Sequence, residues 1–152
     1  HEKAEVARAA GCHYPVVRSE QSFVDVVREV TDGEGCAVVY EAIGKDTLQH
    51  SLDSLRPMGV CAAYGHVSGP PDPVDIIQDL GLRGSLFITR PAIMHYVAKR
   101  ADLEWTARDL FKAIGDGLLE ANINYEYALK DAVKAHEAIE SGKTLGATVL
   151  IP

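Results

Sequence analysis

The chain has 152 residues, 47% of them apolar and 24% charged, with a formal net charge of −7. That length supports one sizeable core burying ~68–70% of the unfolded surface, and the composition excludes a disordered or fibrous chain. The acidic balance argues against nucleic acid and anionic membranes as main partners, which select a basic face, and no apolar run approaches the ~18 residues of a bilayer span.

The first residues, His1-Glu2-Lys3-Ala4-Glu5, carry no signal-peptide pattern, so a cytoplasmic chain is expected. Glu2 to Ala10 reads as a helix with Val6, Ala9 and Ala10 on one face and Gly11 as its stop. Tyr14 to Val17 reads as a short strand. Ser22 is a predicted N-cap for a helix carrying Phe23, Val26, Val27 and Val30 at i, i+3, i+4 and i+7. Asp32-Gly33-Glu34-Gly35 turns the chain into Cys36–Tyr40, an unbroken apolar strand of the kind found in parallel sheets covered on both faces.

Asp46 is the predicted cap of the next helix, with Leu48, Leu52 and Leu55 inward and Pro57 beyond its end. Gly59 to Tyr64 is the following strand. The proline-rich loop Gly69–Pro73 leads to a short helix near Val74–Leu80, and Ser85–Thr89 is another strand. Asp102 is the expected cap of a long helix with Leu103, Ala107, Leu110, Phe111 and Ile114 inward. Asn124–Leu129 reads as a strand, Asp131 caps a helix through Ser141, and Gly142 suits the position after it. Ala147–Pro152 closes the chain as a strand. This alternation predicts an α/β fold with a parallel sheet.

Three cysteines, Cys12, Cys36 and Cys61, stand far apart with no Cys-x-x-Cys, which favours free, buried thiols over a disulfide or zinc site. The six histidines show no helical ligand spacing, so no metal is expected.

Cys61–His66 and Ser85–Pro91 each run from an apolar strand into a polar or glycine-containing tip, where an open parallel sheet binds a nucleotide. No Gly-x-Gly-x-x-Gly occurs, so the chain reads as the back half of such a fold without its phosphate loop. Lys3 and Arg18 would then lie where cations accommodate a ribose 2′-phosphate, or they are simply solvated surface cations. Ala42 and Gly44 are small enough for a ligand to approach the backbone, although an ordinary strand-to-helix turn also explains them. His66 could donate to a ribose or relay a proton, or be a solvated loop residue. Phe87-Ile88-Thr89-Arg90 offers backbone groups to a carboxamide, or an edge for pairing between subunits. No nucleophile–base pair stands out, and no adenosylmethionine loop supports a methyltransferase.

From Lys3 to Pro152 the chain resembles the C-terminal half of the NADPH:quinone oxidoreductases, the zinc-free zeta-crystallin-like branch of the medium-chain dehydrogenase/reductase superfamily. The resemblance rests on Glu2-Lys3-Ala4, Val39–Thr47, Ser51–Leu55, Tyr64–Gly69, Gly84–Pro91, Tyr127–Leu129, Ala135-His136 and Thr148–Pro152, in that order and spacing. It implies an α/β, Rossmann-like doubly wound parallel sheet that lacks its first two strands in this chain. A GroES-like catalytic domain is expected upstream, with residues 124–152 returning toward it. It further implies NADPH as cofactor, a quinone or related small-molecule acceptor, and a homodimer. Lys3, Arg18, Ala42, Tyr64, Gly65, His66, Phe87, Ile88 and Thr89 fall on cofactor-lining positions; no catalytic residue is expected in this segment. The family often has tyrosine where Arg18 stands and arginine where Gly142 stands, here with Lys143 adjacent. A different class also suits the chain: a catalytically silent module for nucleotide binding or dimerisation.

Overall fold

The protein, seen here as a computed structural model that describes residues 1–120 and 122–152, divides into two compact units, His1–His95 and Tyr96–Pro152. The first contains helices α1 (Glu2–Ala9), α2 (Phe23–Val30) and α3 (Leu48–Asp53), strands β1 (Cys36–Glu41), β2 (Leu55–Ala63) and β3 (Phe87–Thr89), and a π-helical segment at Ile76–Gly81. The short helix α4 (Ile93–Tyr96) lies at the boundary.

The three strands form one parallel sheet in the order β1-β2-β3. The central register aligns Val39, Cys61 and Ile88, and one step along it aligns Tyr40, Ala62 and Thr89. Because side chains alternate across a strand, the first row faces inward and the second outward. The inward row meets the buried Leu48, Leu52, Leu55 and Leu86, with Cys61 fully buried among them. The opposite face leaves Val38, Tyr40 and Phe87 exposed. Cys36–Tyr40 is therefore covered on one face, not on the two that its apolar run predicts.

Several local expectations hold. Gly11 stops α1 with φ +96°, and the Ser22 hydroxyl accepts from the Asp25 N–H at 3.3 Å to cap α2. Others shift for identifiable reasons. Helix α1 buries none of its residues, and the buried side of α2 centres on Val24, with Val30 exposed. Tyr14–Val17 forms no strand, because no strand among the described residues pairs with it. The helix expected to run through Leu55 ends at Asp53, and Pro57 lies inside β2. There the register jumps from Cys36↔Leu55 to Val38↔Val60, so Arg56, Pro57 and Met58 bulge outward and Met58 adopts φ +60°. Proline presets the first corner of such a bulge, and an exposed Met58 takes the left-handed second corner.

The second unit holds helix α5 (Arg100–Gly115), strands β4 (Ile123–Ala128) and β5 (Ala147–Ile151), a 3₁₀ turn at Leu129–Asp131, and helix α6 (Ala132–Glu140). Strands β4 and β5 pair in parallel as a sheet of their own, with α6 as the crossover between them. Helix α5 starts before the expected cap Asp102, at Arg100. Asp131 stands at the start of α6 but forms no cap hydrogen bond; its carboxylate pairs with Lys134 at 2.8 Å instead. Gly142 follows α6 with φ +68°, as predicted. Of the thiols, Cys61 is buried, Cys36 half-buried and Cys12 exposed, so only one of the three sits in a core. No helix among the described residues is long and apolar enough to cross a membrane.

Leu52 is 1% exposed at the centre of the first unit's core. Leu52→Ala is expected to lower its stability by about 3 kcal/mol. Urea unfolding with an unchanged slope and a lower midpoint checks this; an unshifted midpoint would contradict the packing described.

Candidate functional site

The carboxyl ends of β1, β2 and β3 lie side by side, and the chain leaves each one differently. After β1, the side chain of Glu41 turns back under the loop it precedes. Only 3% of Glu41 is exposed. Its Oε1 accepts the backbone N–H groups of Ile43 (2.6 Å) and Gly44 (2.9 Å), and the Thr47 hydroxyl donates to both carboxylate oxygens at 2.9 and 3.0 Å. The Ser51 hydroxyl donates to Oε2 in a short contact. Burial pushes the pKa of Glu41 up, but the donors from Ser51, Gly44, Ile43 and Thr47 outweigh it and hold the carboxyl below its ordinary value.

This network replaces the predicted helix cap. Thr47, not Asp46, stands at the N-cap of α3, and its side chain serves Glu41 instead of the helix backbone. The Asp46 N–H in turn donates to the Ser68 hydroxyl oxygen at 3.1 Å, while the same hydroxyl donates to Ile43 O at 2.9 Å. Two turns, one after β1 and one after β2, are thereby pinned together.

They approach so closely that two positions admit no side chain. A Cβ on Gly65 would fall inside the van der Waals shell of Ala42 O. A Cβ on Gly44, at φ +93°, would stand 2.6 Å from Gly69 O and 2.8 Å from His66 Cα. Glycine is required at both for close approach of backbone to backbone.

Beside these turns lies a cleft of ≈ 230 Å³ whose walls include Glu41, Gly44, Gly65, His66, Pro71 and Arg90. Arg90, directly after β3, donates to Ala63 O at 2.8 Å and stands 3.1 Å from His66 Nδ1. A second cleft of ≈ 280 Å³ opens on the far side of the same loop, lined by Arg18, Gln21, Phe23, Asp46, Thr47 and His50 among others. The Phe23 and His50 rings meet edge to face there, 6.1 Å apart. The residues Gly44 to Leu48 thus separate two openings, Gly44 and Leu48 facing one, Asp46 and Thr47 the other.

The predicted residues distribute as follows. Gly65 and His66 share the first cleft, with Ala42 packed beneath Gly65 and Tyr64 just past β2, half exposed. Arg18 lines the second cleft. Lys3 lies in the first turn of α1, whose leading residue His1 pairs with Glu20 at 3.0 Å, close to Arg18 in the chain. Phe87 and Thr89 point to the outer sheet face, and Ile88 to the core. Sequence reasoning missed Glu41 and Arg90 as individual residues. An acidic residue ending an apolar strand and followed by hydroxyl residues at Thr47 and Ser51 was the available signal for the first. A basic residue before proline at a strand end was the signal for the second.

Cys61, under the floor of the site, has its thiol pushed up to about 11 by burial and then by the Glu41 charge. It stays protonated and inert at neutral pH.

Comparison with known proteins agrees with this architecture. A family model described as zinc-binding dehydrogenase matches residues 10–150. A 2-haloacrylate reductase from Burkholderia sp. is 50% identical over 99% of this chain and 45% of its own length. A quinone oxidoreductase from Salmonella typhimurium is 39% identical over 99% of the chain and 46% of its own. The crystal structure of Escherichia coli quinone oxidoreductase complexed with NADPH superimposes with a TM-score of 0.93 at 35% identity, covering 99% of this chain and 47% of that one. The chain therefore spans about half the length of the curated relatives it matches. The family description names zinc, yet among the described residues no group of three or more His, Cys, Asp or Glu is placed to hold a metal ion.

The folded-state pKa of Glu41 lies below the ordinary 4.5, so its network stabilises fully above that pH and fades as pH falls through the folded value. Glu41→Gln should cost about 2–3 kcal/mol at neutral pH and remove this part of the acid sensitivity. Unfolding midpoints compared from neutral to acid pH check both; parallel curves for the two proteins would contradict the assignment.

Proposed function

The chain belongs to the zinc-binding dehydrogenase family, and we propose that it is the NADPH-binding part of an oxidoreductase that reduces a quinone or a related conjugated acceptor. The observation that carries this reading is the glycine-built crossing of two strand ends, with a cleft on either side, at the carboxyl edge of a parallel sheet. Ligands of open α/β sheets bind at that edge. Removal of Cβ atoms at Gly44 and Gly65 leaves backbone where side chains would otherwise stand, and the two clefts give an elongated dinucleotide room on both sides of the loop.

On this reading, NADPH supplies the hydride when bound. The chain's own residues hold and orient it. Arg18, aided by Lys3, receives the 2′-phosphate at the second cleft; a guanidinium matches phosphate geometry through paired donors. Ala42, Tyr64, Gly65 and His66 face the middle and nicotinamide end, and Phe87, Ile88 and Thr89 border it from the third strand. No residue of this segment is assigned a catalytic role. The catalytic, GroES-like domain belongs upstream, with residues 124–152 returning toward it, in a cytoplasmic homodimer. The double length of the matched relatives supports a larger subunit.

One observation favours a second acceptor class. The relative at 50% identity is named for a halogenated conjugated acid, while the quinone oxidoreductases stand at 35–39%. An alkene conjugated to a carboxylate is therefore the acceptor to compare directly with a quinone.

Titration of the full-length protein with NADPH and NADH, followed by cofactor fluorescence, tests the reading. Saturable NADPH binding is expected; its absence would refute the assignment. Arg18→Glu should weaken NADPH about ten- to a hundredfold and leave NADH nearly unchanged. Equal loss for both cofactors would remove Arg18 from the 2′-phosphate.

A further inference from the structure

We propose that Arg90 is a positioning residue that fixes His66 in one tautomer, with its proton on Nε2, so that the imidazole presents a single N–H donor at the cleft. Arg90 Nη2 stands 3.1 Å from His66 Nδ1. A guanidinium carries only donors, so the atom opposite it must be a bare, accepting nitrogen. In a neutral imidazole the proton then resides on the other nitrogen, Nε2.

The guanidinium is held at a second point. Its Nη1 is anchored on Ala63 O at 2.8 Å, and the residue emerges directly from β3, which is itself paired with β2. The histidine backbone is held as well. His66 O accepts the Gly69 N–H at 2.9 Å, and its Cα borders Gly44 so closely that no Cβ fits there. Both partners of the contact are thus tied to separate strand ends, and both line the cleft.

The donor matters because, beside Arg90, whose Nη1 and Nη2 are engaged with Ala63 O and His66, the rest of the lining offers few. Leu48, Ala63, Pro70 and Pro71 have no side-chain donor, and Glu41 is an acceptor already saturated by its own network. His66 is therefore suited to meet an oxygen acceptor: a hydroxyl or carboxamide oxygen of the cofactor, or a carbonyl or carboxylate oxygen of the substrate. This role toward a ligand rests on the NADPH reading above, whereas the tautomer itself does not.

The test is nitrogen NMR of the histidine-labelled full-length protein at mildly alkaline pH, with His66→Gln identifying the signal. Nδ1 is expected at the shift of an unprotonated ring nitrogen and Nε2 at that of a protonated one. Arg90→Met should draw the two shifts toward each other as tautomers mix, and Arg90→Lys should restore the separation. A protonated Nδ1 in the unaltered protein overturns the inference without any variant. Shifts unmoved in a folded Arg90→Met overturn it too, whether or not NADPH binds.

For the ligand, His66→Gln should weaken binding about three- to tenfold. A loss in NADPH affinity places the oxygen on the cofactor; a loss in acceptor KM or kcat with NADPH affinity kept places it on the substrate. A double variant of His66→Gln with Arg90→Met should lose no more than His66→Gln alone. Additive losses would show Arg90 acting independently and overturn the positioning role.

Discussion

The first unit depends on one buried charge. Removing a carboxylate from water is costly, and among the described residues no cationic side chain pairs with Glu41. Four residues offset the cost with donated hydrogen bonds, two from backbone and two from hydroxyls. Each donor lies on the segment that follows β1, so satisfying the charge dictates the path of the chain. Ile43 and Gly44 must turn their N–H groups back toward the strand, and Thr47 and Ser51 must share one face of α3. The helix is thereby tied to the strand it follows, and its remaining inward positions, Leu48 and Leu52, fall onto the core.

That path creates the site as a by-product of satisfying Glu41. With Gly44 drawn inward, the turn after β2 settles on top of it, and Ser68 locks the two turns through Ile43 O and the Asp46 N–H. The backbones come together until only glycine fits at positions 44 and 65. A loop held by internal hydrogen bonds on both sides needs little further ordering when a ligand arrives, which keeps the entropic cost of binding low. The same carboxylate reaches further, to Cys61, whose thiol it helps to keep protonated.

Much of the scaffold was legible because local chemistry decides it. The alternation of helical and strand patterns gave the α/β class, and Ser22, Gly11 and Gly142 acted as the caps and stops their side chains suggest. The errors occur where a distant partner decides. Asp46 looks like a cap, but Thr47 takes that position because Glu41 claims its hydroxyl. Leu55 fits a helical period, yet it pairs with Cys36 across the sheet. Pro57 reads as a helix stop and instead shapes a bulge inside a strand. Tyr14–Val17 has the composition of a strand and no neighbour to make it one. Among the described residues, strands β4 and β5 pair only with each other, which pattern cannot distinguish from joining a larger sheet. At the site, the tips of the strands were visible in sequence, but Glu41 and Arg90 were not, since their roles arise from groups on other strands and turns.

The arrangement also separates two kinds of selectivity in space. The loop from Gly44 to Leu48 is held by its own hydrogen bonds to Glu41 and Ser68, and it lies between the residues that line the two openings. Arg18, Phe23 and His50 define the chemistry of one side, and His66 with Arg90 the chemistry of the other. A guanidinium beside Asp46 in one cleft and an imidazole beside Arg90 in the other give the two openings different chemistry. Sites without shared partners contribute nearly additively. Substitution around Arg18 can therefore alter the response to a phosphate without disturbing the donor geometry at His66. The Glu41 network admits no such freedom, because its donors Gly44 and Thr47 each line one of the two clefts.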